Sequence, residues 1–398
     1  MIATLAIRLG LLHATTGSPV TTTPRPTLRP EEACTSELSR AGVLTYGGHL
    51  PELDGARGLA VLLVLSIHSP LRLVIPFGWM GVDLFFVLSG FLITGILLDT
   101  RDDPHFFRNF YARRALRILP LYLAWLFFVF AVAPRVPALR FDTAATPIWE
   151  YLLYVQNLVP RGPAPSILSV AWSLAVEEQF YVLWPLLVWL LRRRGLVFVL
   201  GALILAAPAL RWLLLTRGIS GDYVYGFTPC RVDTLSLGSL LAIAVRWVPP
   251  QTIKALARFS AVVVLPASIL ASALYLHVAP LGAALVFLGV AIGLTGALGC
   301  CLWTNPLARL FRSRVLRAVG QVSYGIYLIH MPVFIVAWTS VDGARLRARE
   351  PAAVLSFFAT WVLAFALVWV LARLSWRWFE SRVLRLKSYF TPPRLPAR

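Results

Sequence analysis

The sequence predicts an all-α integral membrane protein of about ten transmembrane helices, with short amphipathic helices at the interface. Three observations carry this expectation. Of 398 residues, 58% are hydrophobic and only 14% charged, whereas an ordinary soluble protein is nearer ~25% charged. The apolar residues come in blocks of about twenty, the length a helix needs to cross a hydrocarbon core of ~30 Å. The basic residues are also shared unequally between the alternate loops those blocks leave, as cytoplasmic and outer loops require.

The chain divides into a flexible cytoplasmic tail (1–50), a transmembrane domain (51–385) and a short cytoplasmic C-terminal tail (386–398). Within the first, TTGSPVTTTPRPTLRP at 15–30 is too rich in Thr and Pro for helix or core. The opening MIATLAIRLGLLHA has no basic region ahead of its apolar run, which argues against a cleaved signal peptide. Apolar segments then fall at about 55–75, 78–98, 119–135, 168–191, 196–215, 231–247, 258–277, 280–301, 319–340 and 352–374. Between the second and third, HFFRNFYARRALRI at 105–118 alternates arginine with apolar residues, which suits an interfacial amphipathic helix. Residues 308–318, with four arginines, read as another. An even number of spans puts both termini on one side. That side receives 27 of the 37 basic residues and the other side 10, so it is expected to be cytoplasmic. The longest outer loop, 134–166, contains a semi-polar piece at 149–158 that would suit a lid.

A net charge of +19 in a soluble chain would suggest nucleic acid. Here the positives follow membrane topology, and no basic stripe with interleaved aromatics occurs, so no nucleic-acid partner is expected; the lipid bilayer is. Cys34, Cys230, Cys300 and Cys301 show no ligand spacing, so no metal is expected.

The chemistry centres on LDGARGLAVLLVLSIH at 53–68. His68 follows Arg57 by eleven helical positions, or ~16 Å. An ionisable group at that depth is costly and marks a functional site, or else bonds a neighbouring helix. Glu178, in WSLAVEEQFYVLWPL, lies at a similar depth, ~21 Å above Arg192. A carboxylate beside an imidazole would hold its tautomer for base catalysis. Glu177 and Glu178 point about 100° apart, so at most one faces His68. His330 lies at the same depth and competes for that place. Tyr324, Tyr327 and His330 recur every third residue and share a face that either lines a cavity or packs. Arg231 and Asp233 are two apart and so do not share a face. Asp83, Ser89, Tyr181, Arg231, Asp233, Tyr327 and His330 are the substrate-cavity candidates. Arg113, Arg114 and Arg117 cluster ahead of the third span. They would bind either an anionic cofactor from the cytosol or lipid phosphate.

These stretches, in order, resemble the membrane-bound acyltransferase-3 family of bacterial O-acyltransferases. The resemblance spans about 50–385 and rests on LDGARGLAVLLVLSIH, GWMGVDLFFVLSGFLIT, FYARRALRILPLYL, WSLAVEEQFYVLWP, TPCRVDTLSLGSLLA and GQVSYGIYLIHMP. It implies a ten-helix enzyme of the bacterial inner membrane that moves an acyl group, usually acetyl, from acyl-CoA to a hydroxyl of a sugar, glycolipid or envelope glycan. It further implies that His68 is the catalytic histidine and Arg57 its partner. Arg114 and Arg117 would be the arginines that handle the donor, and Glu177 and Glu178 the acidic pair. The chain departs from the family at WFESRVL (378–384), which lacks the proline that often follows there, so no role is carried to Glu380. About fourteen residues follow Leu384, and a stand-alone transferase domain is expected. The rival class is a transporter or proton-coupled exporter, which uses the same kinds of intramembrane groups.

Overall fold

The computed structural model describes residues 50–160, 164–274, 279–303, 305–341 and 350–390. The expected N-terminal tail, apart from Leu50, and residues 391–398 lie outside them. The described residues form a helical bundle: α1 (Pro51–Ile67), α2 (Met80–Asp99), α3 (Phe106–Phe127), α4 (Ala171–Leu190), α5 (Arg193–Thr216), α6 (Val232–Trp247), α7 (Pro250–Phe259), α8 (Leu265–Ala273), α9 (Pro280–Cys301), α10 (Arg314–Gln321), α11 (Ser323–Thr339) and α12 (Pro351–Ser375). Proline opens α1, α7, α9 and α12, where its missing N–H costs nothing.

Six helices among the described residues are long and apolar enough to cross a membrane, or seven if α10 and α11, bent by 74°, make one span. The expected ten segments are all helical, but ten crossings are not established. The helices that fall short include those that carry the polar residues. The 17-residue α1 and α11 and the 16-residue α6 are too short, and α4 carries two adjacent glutamates.

Several expected boundaries move for local reasons. The first segment ends at Ile67 rather than near 75. Pro70 disfavours α conformation at the residue before it, and Ser69 is fully extended (φ −125°, ψ 176°). The interfacial helix expected at 105–118 and the third span are one continuous helix, α3, running through Pro120. The stretch at 308–318 breaks into a short helix, Pro306–Phe311, and α10. The piece at 149–158 packs on α3 and α4. Gln179 of α4 donates to the Tyr154 carbonyl at 2.6 Å and to Asn157 at 2.9 Å, and Tyr122 of α3 donates to the Tyr151 carbonyl at 3.0 Å. Tyr154 itself sits at φ 55°, a conformation unusual for a bulky side chain.

Close helix crossings rest on glycine. A Cβ at Gly90 of α2 would land on the Leu235 carbonyl of α6, and one at Gly238 of α6 on the Val87 carbonyl of α2. Small residues let backbones approach where lipid supplies no hydrophobic drive. Gly55 and Gly58 of α1 meet Phe311, Leu316 and Gly320 in the same way. Gly238→Val is therefore expected to cost about 1–3 kcal/mol through overpacking, read as a lower unfolding temperature in detergent. Gly201→Val, with nothing within 4 Å of its Cβ position, is the matched substitution expected to have little effect.

Two buried apolar clusters fill the bundle. One is built mainly on α3, α4, α11 and α12, the other on α1, α2, α6 and α9. A cavity among the described residues is lined from α1, α2, α3, α4 and α11, so both halves contribute to its wall.

Candidate active site

The cavity begins among guanidinium groups and ends among aromatic rings. Its lining includes Arg57, Arg114 and Arg117 at one end, Ser89, Glu177, Tyr181 and Tyr324 along its length, and Phe85, Phe86, Ser173 and Tyr327 at the other. Helical spacing places the arginines: Arg114 and Arg117 are three apart on α3 and so share a face. The Arg114 guanidinium lies 5.6 Å over the Tyr181 ring and that of Arg117 5.6 Å over Trp376. Arg57 pairs with Asp54 at 3.6 Å and still reaches the cavity. Arg113 is not in the lining, but it lies within electrostatic reach of Lys387, as do Arg57, Arg114 and Arg117.

Glu177 is held in the wall by a relay. Tyr181 donates to Ser89 at 2.9 Å, and Ser89 donates to the Glu177 carboxylate at 2.5 Å. Glu178 shares Arg114 and Tyr181 with Glu177 but is also within electrostatic reach of Tyr122, Tyr154 and Tyr324. Adjacent helix positions force this divergence. Neither glutamate is the partner of His68.

That partner is His330. The two rings lie 5.1 Å apart between centroids, with His330 Nε2 3.3 Å from His68 Nδ1. His68 caps the end of α1, half-buried, and its Nδ1 is also 2.9 Å from the Val64 carbonyl. His330 is fully buried on α11, its Nδ1 2.7 Å from the Tyr327 carbonyl and 3.2 Å from that of Ile326. Gly58 and Gly320 touch where α1 meets α10, and beyond the 74° bend α11 brings His330 against the end of α1. The pair joins the cavity through Tyr327, whose ring is 5.9 Å from that of His330. The shared face of α11 therefore both lines and packs. Tyr324 and Tyr327 face the cavity while bonding the Ile118 and Val170 carbonyls at 2.9 and 3.0 Å, and His330 stands behind them.

Asp83, Arg231 and Asp233 lie outside the cavity. Arg231 pairs with Asp83 at 2.5 Å and Asp233 with Arg211 at 2.7 Å, all four side chains at most 2% exposed. Being two apart, Arg231 and Asp233 engage different partners, and both pairs tie helices together. Two of the ten basic residues assigned to the outer face are thus neutralised inside the bundle.

Two polar residues near the cavity had no role assigned from the sequence. Glu380, 5% exposed, accepts from Ser375 at 3.1 Å and lies within electrostatic reach of Arg117. Lys387 stands on the C-terminal turn Leu386–Phe390, which packs on α3. A usable signal for Glu380 existed: it is the single acid in the basic C-terminal segment from Arg373 onward. Among the described residues no cluster of His, Cys, Asp or Glu could hold a metal.

The sequence and this geometry can be set beside known proteins. A family model described as an acyltransferase domain, that of acyltransferase-3, matches residues 50–373. The peptidoglycan O-acetyltransferase of Listeria monocytogenes is 29% identical over 84% of this chain and 56% of its own length. A putative peptidoglycan O-acetyltransferase of Bacillus subtilis is 30% identical over 73% and 49%. A putative O-acetyltransferase of Staphylococcus aureus is 27% identical over 72% and 50%. The chain spans about half the length of these relatives. No solved structure matches it.

Proposed function

Because the chain belongs to the acyltransferase-3 family, we propose that it is a membrane O-acetyltransferase that moves acetyl from acetyl-CoA to a hydroxyl of a cell-envelope glycan. The observation that carries this is the cavity that joins three arginines at one end to a histidine pair beyond the other. Guanidinium groups bind phosphates through paired, charge-assisted hydrogen bonds, which suits the phosphates of CoA. The basic residues gathered at that end support its facing the cytosol, where CoA resides. The acceptor then approaches His68 from the outer side, where α1 ends.

The chemistry balances with these groups alone. His68 Nε2 takes the proton of the acceptor hydroxyl, whose oxygen bonds to the acyl carbon. The C–S bond breaks, and the departing thiolate takes the proton back from the imidazolium. In the alternative route His68 Nε2 attacks the acyl carbon and the C–S bond breaks, giving an acyl-imidazole and a thiolate; the acceptor oxygen then displaces the imidazole, and the hydroxyl proton passes to the thiolate. Glu177, with Ser89 and Tyr181, supplies a polar wall along the donor's path. Peptidoglycan, named for two of the relatives, is the first acceptor to try.

The test uses purified protein in proteoliposomes, supplied with acetyl-labelled CoA and peptidoglycan fragments presented at the opposite face. Label recovered as ester on glycan supports the reading. Donor-dependent flux across the bilayer with no new ester would overturn it in favour of a transporter. Losing one charge-assisted contact costs about 1.5–3 kcal/mol, so Arg117→Ala is expected to raise KM for acetyl-CoA by about 10- to 100-fold. An unchanged KM would remove Arg117 from donor binding.

A further inference from the structure

We propose that His330 is a positioning residue: it accepts the Nδ1–H of His68 and so keeps the Nε2 lone pair of His68 turned toward the reacting hydroxyl. This rests on the reading of His68 as the base and specifies what orients it.

The hydrogen positions follow from the acceptors. A carbonyl oxygen cannot donate, so a ring nitrogen bonded to one must carry the hydrogen. His330 Nδ1 contacts the carbonyls of Tyr327 and Ile326 at 2.7 and 3.2 Å. His68 Nδ1 contacts that of Val64 at 2.9 Å. Both histidines therefore bear hydrogen on Nδ1. His330 is fully buried, and its ring neighbours besides His68 are Tyr327 and Phe334. A charge without an opposite partner is costly there. In the neutral ring a hydrogen on Nδ1 leaves Nε2 as an acceptor, and that nitrogen is the one 3.3 Å from His68 Nδ1. The His68 hydrogen is thus shared between Val64 and His330, and the neutral ring keeps its Nε2 lone pair available.

The pair also serves the charged intermediate. When His68 takes the acceptor's proton, its Nδ1–H becomes a charge-assisted donor, and the bond to His330 Nε2 strengthens. A carboxylate would do this more strongly, but neither glutamate occupies the position. His330 neither gains nor loses a proton in the cycle. The ring contacts to Tyr327 and Phe334, at 5.9 and 5.7 Å, fix the orientation on which this depends.

Two variants separate positioning from packing. His330→Leu keeps bulk and removes the acceptor, whereas His330→Gln places an amide oxygen near where Nε2 stood. Misplacing a catalytic group can cost as much as ~100-fold, so His330→Leu is expected to lose about 10- to 100-fold in kcat, with KM for acetyl-CoA changed less than about twofold. His330→Gln is expected to recover most of that loss. With 15N-histidine labelling, the chain's six histidines allow His68 to be assigned by difference from His68→Ala. Because Val64 still accepts from it, His68 should carry hydrogen on Nδ1 in all three proteins, with one sharp set of ring signals in the parent protein and in His330→Gln and a broadened set, from a ring no longer held in one orientation, in His330→Leu. Parent-like kcat in His330→Leu, equal impairment of both variants with raised KM, or a parent spectrum with hydrogen on Nε2 would each overturn the proposal. An active His68→Ala would instead overturn the base reading. An inactive His68→Ala beside a fully active His330→Leu would overturn only the role of His330.

Discussion

His68→Ala is expected to lower acetyl transfer by about 100- to 10,000-fold, the range a general acid–base group contributes, while the protein still inserts and folds. Folding should survive because His68 sits at the end of α1, half-buried, where its ring bonds the Val64 carbonyl and His330. Truncating it leaves His330 Nε2 without its donor but opens no gap in the apolar clusters, which do not include His68. Donor binding should survive as well, because Arg57, Arg114 and Arg117 lie at the opposite end of the cavity. The diagnostic result is therefore a collapse of kcat with little change in KM for acetyl-CoA and a normal detergent-solubilised monodisperse peak. A variant that retains its activity would remove His68 from the chemistry.

Arg231→Ala is expected to destabilise the bundle by about 3–5 kcal/mol, because removing one partner of a buried pair strands the other charge. Asp83, on α2, is fully buried, and Arg231 is the group that pairs with it. Arg231 also lies within 4.8–5.8 Å of the ring centroids of Phe86, Trp172, Tyr225 and Phe287, so the loss includes cation–π contacts. The double variant Arg231→Met, Asp83→Leu is expected to be much milder, since two apolar groups of similar volume leave no stranded charge. Thermal unfolding of both in one detergent checks this. A single variant as stable as the parent, or a double variant as unstable as the single, would contradict the assignment of these residues to packing.

The contrast between the two histidines and the Asp83–Arg231 pair shows which polar groups the sequence could sort. All are ionisable groups in or at the ends of apolar helices, and depth makes each a candidate for function. Depth does not tell which neighbour a side chain meets. Asp83, Arg231 and Asp233 looked like substrate contacts, but they neutralise one another and Arg211 across α2, α5 and α6. Ser89, Tyr181 and Tyr327 did reach the cavity with the arginines. Glu177 shared a depth with His68 and yet turned to Ser89.

What the sequence determined by itself is the one-dimensional information: helical apolar blocks, and the spacing of Arg57, His68, Arg114 and Arg117 along the chain. These follow from periods and transfer energies that depend only on local residues. The family followed from the same ordered motifs. What only the tertiary structure decided is how the helices rotate and slide against each other. Glycine contacts fix that register, Gly58 against Gly320 and Gly90 against Leu235, and Pro70 cuts α1 short so that His68 becomes its cap. A rotation of one residue turns a side chain through about 100°, enough to carry it from one neighbour to another. Three-dimensional packing, and no local rule, places His330 there.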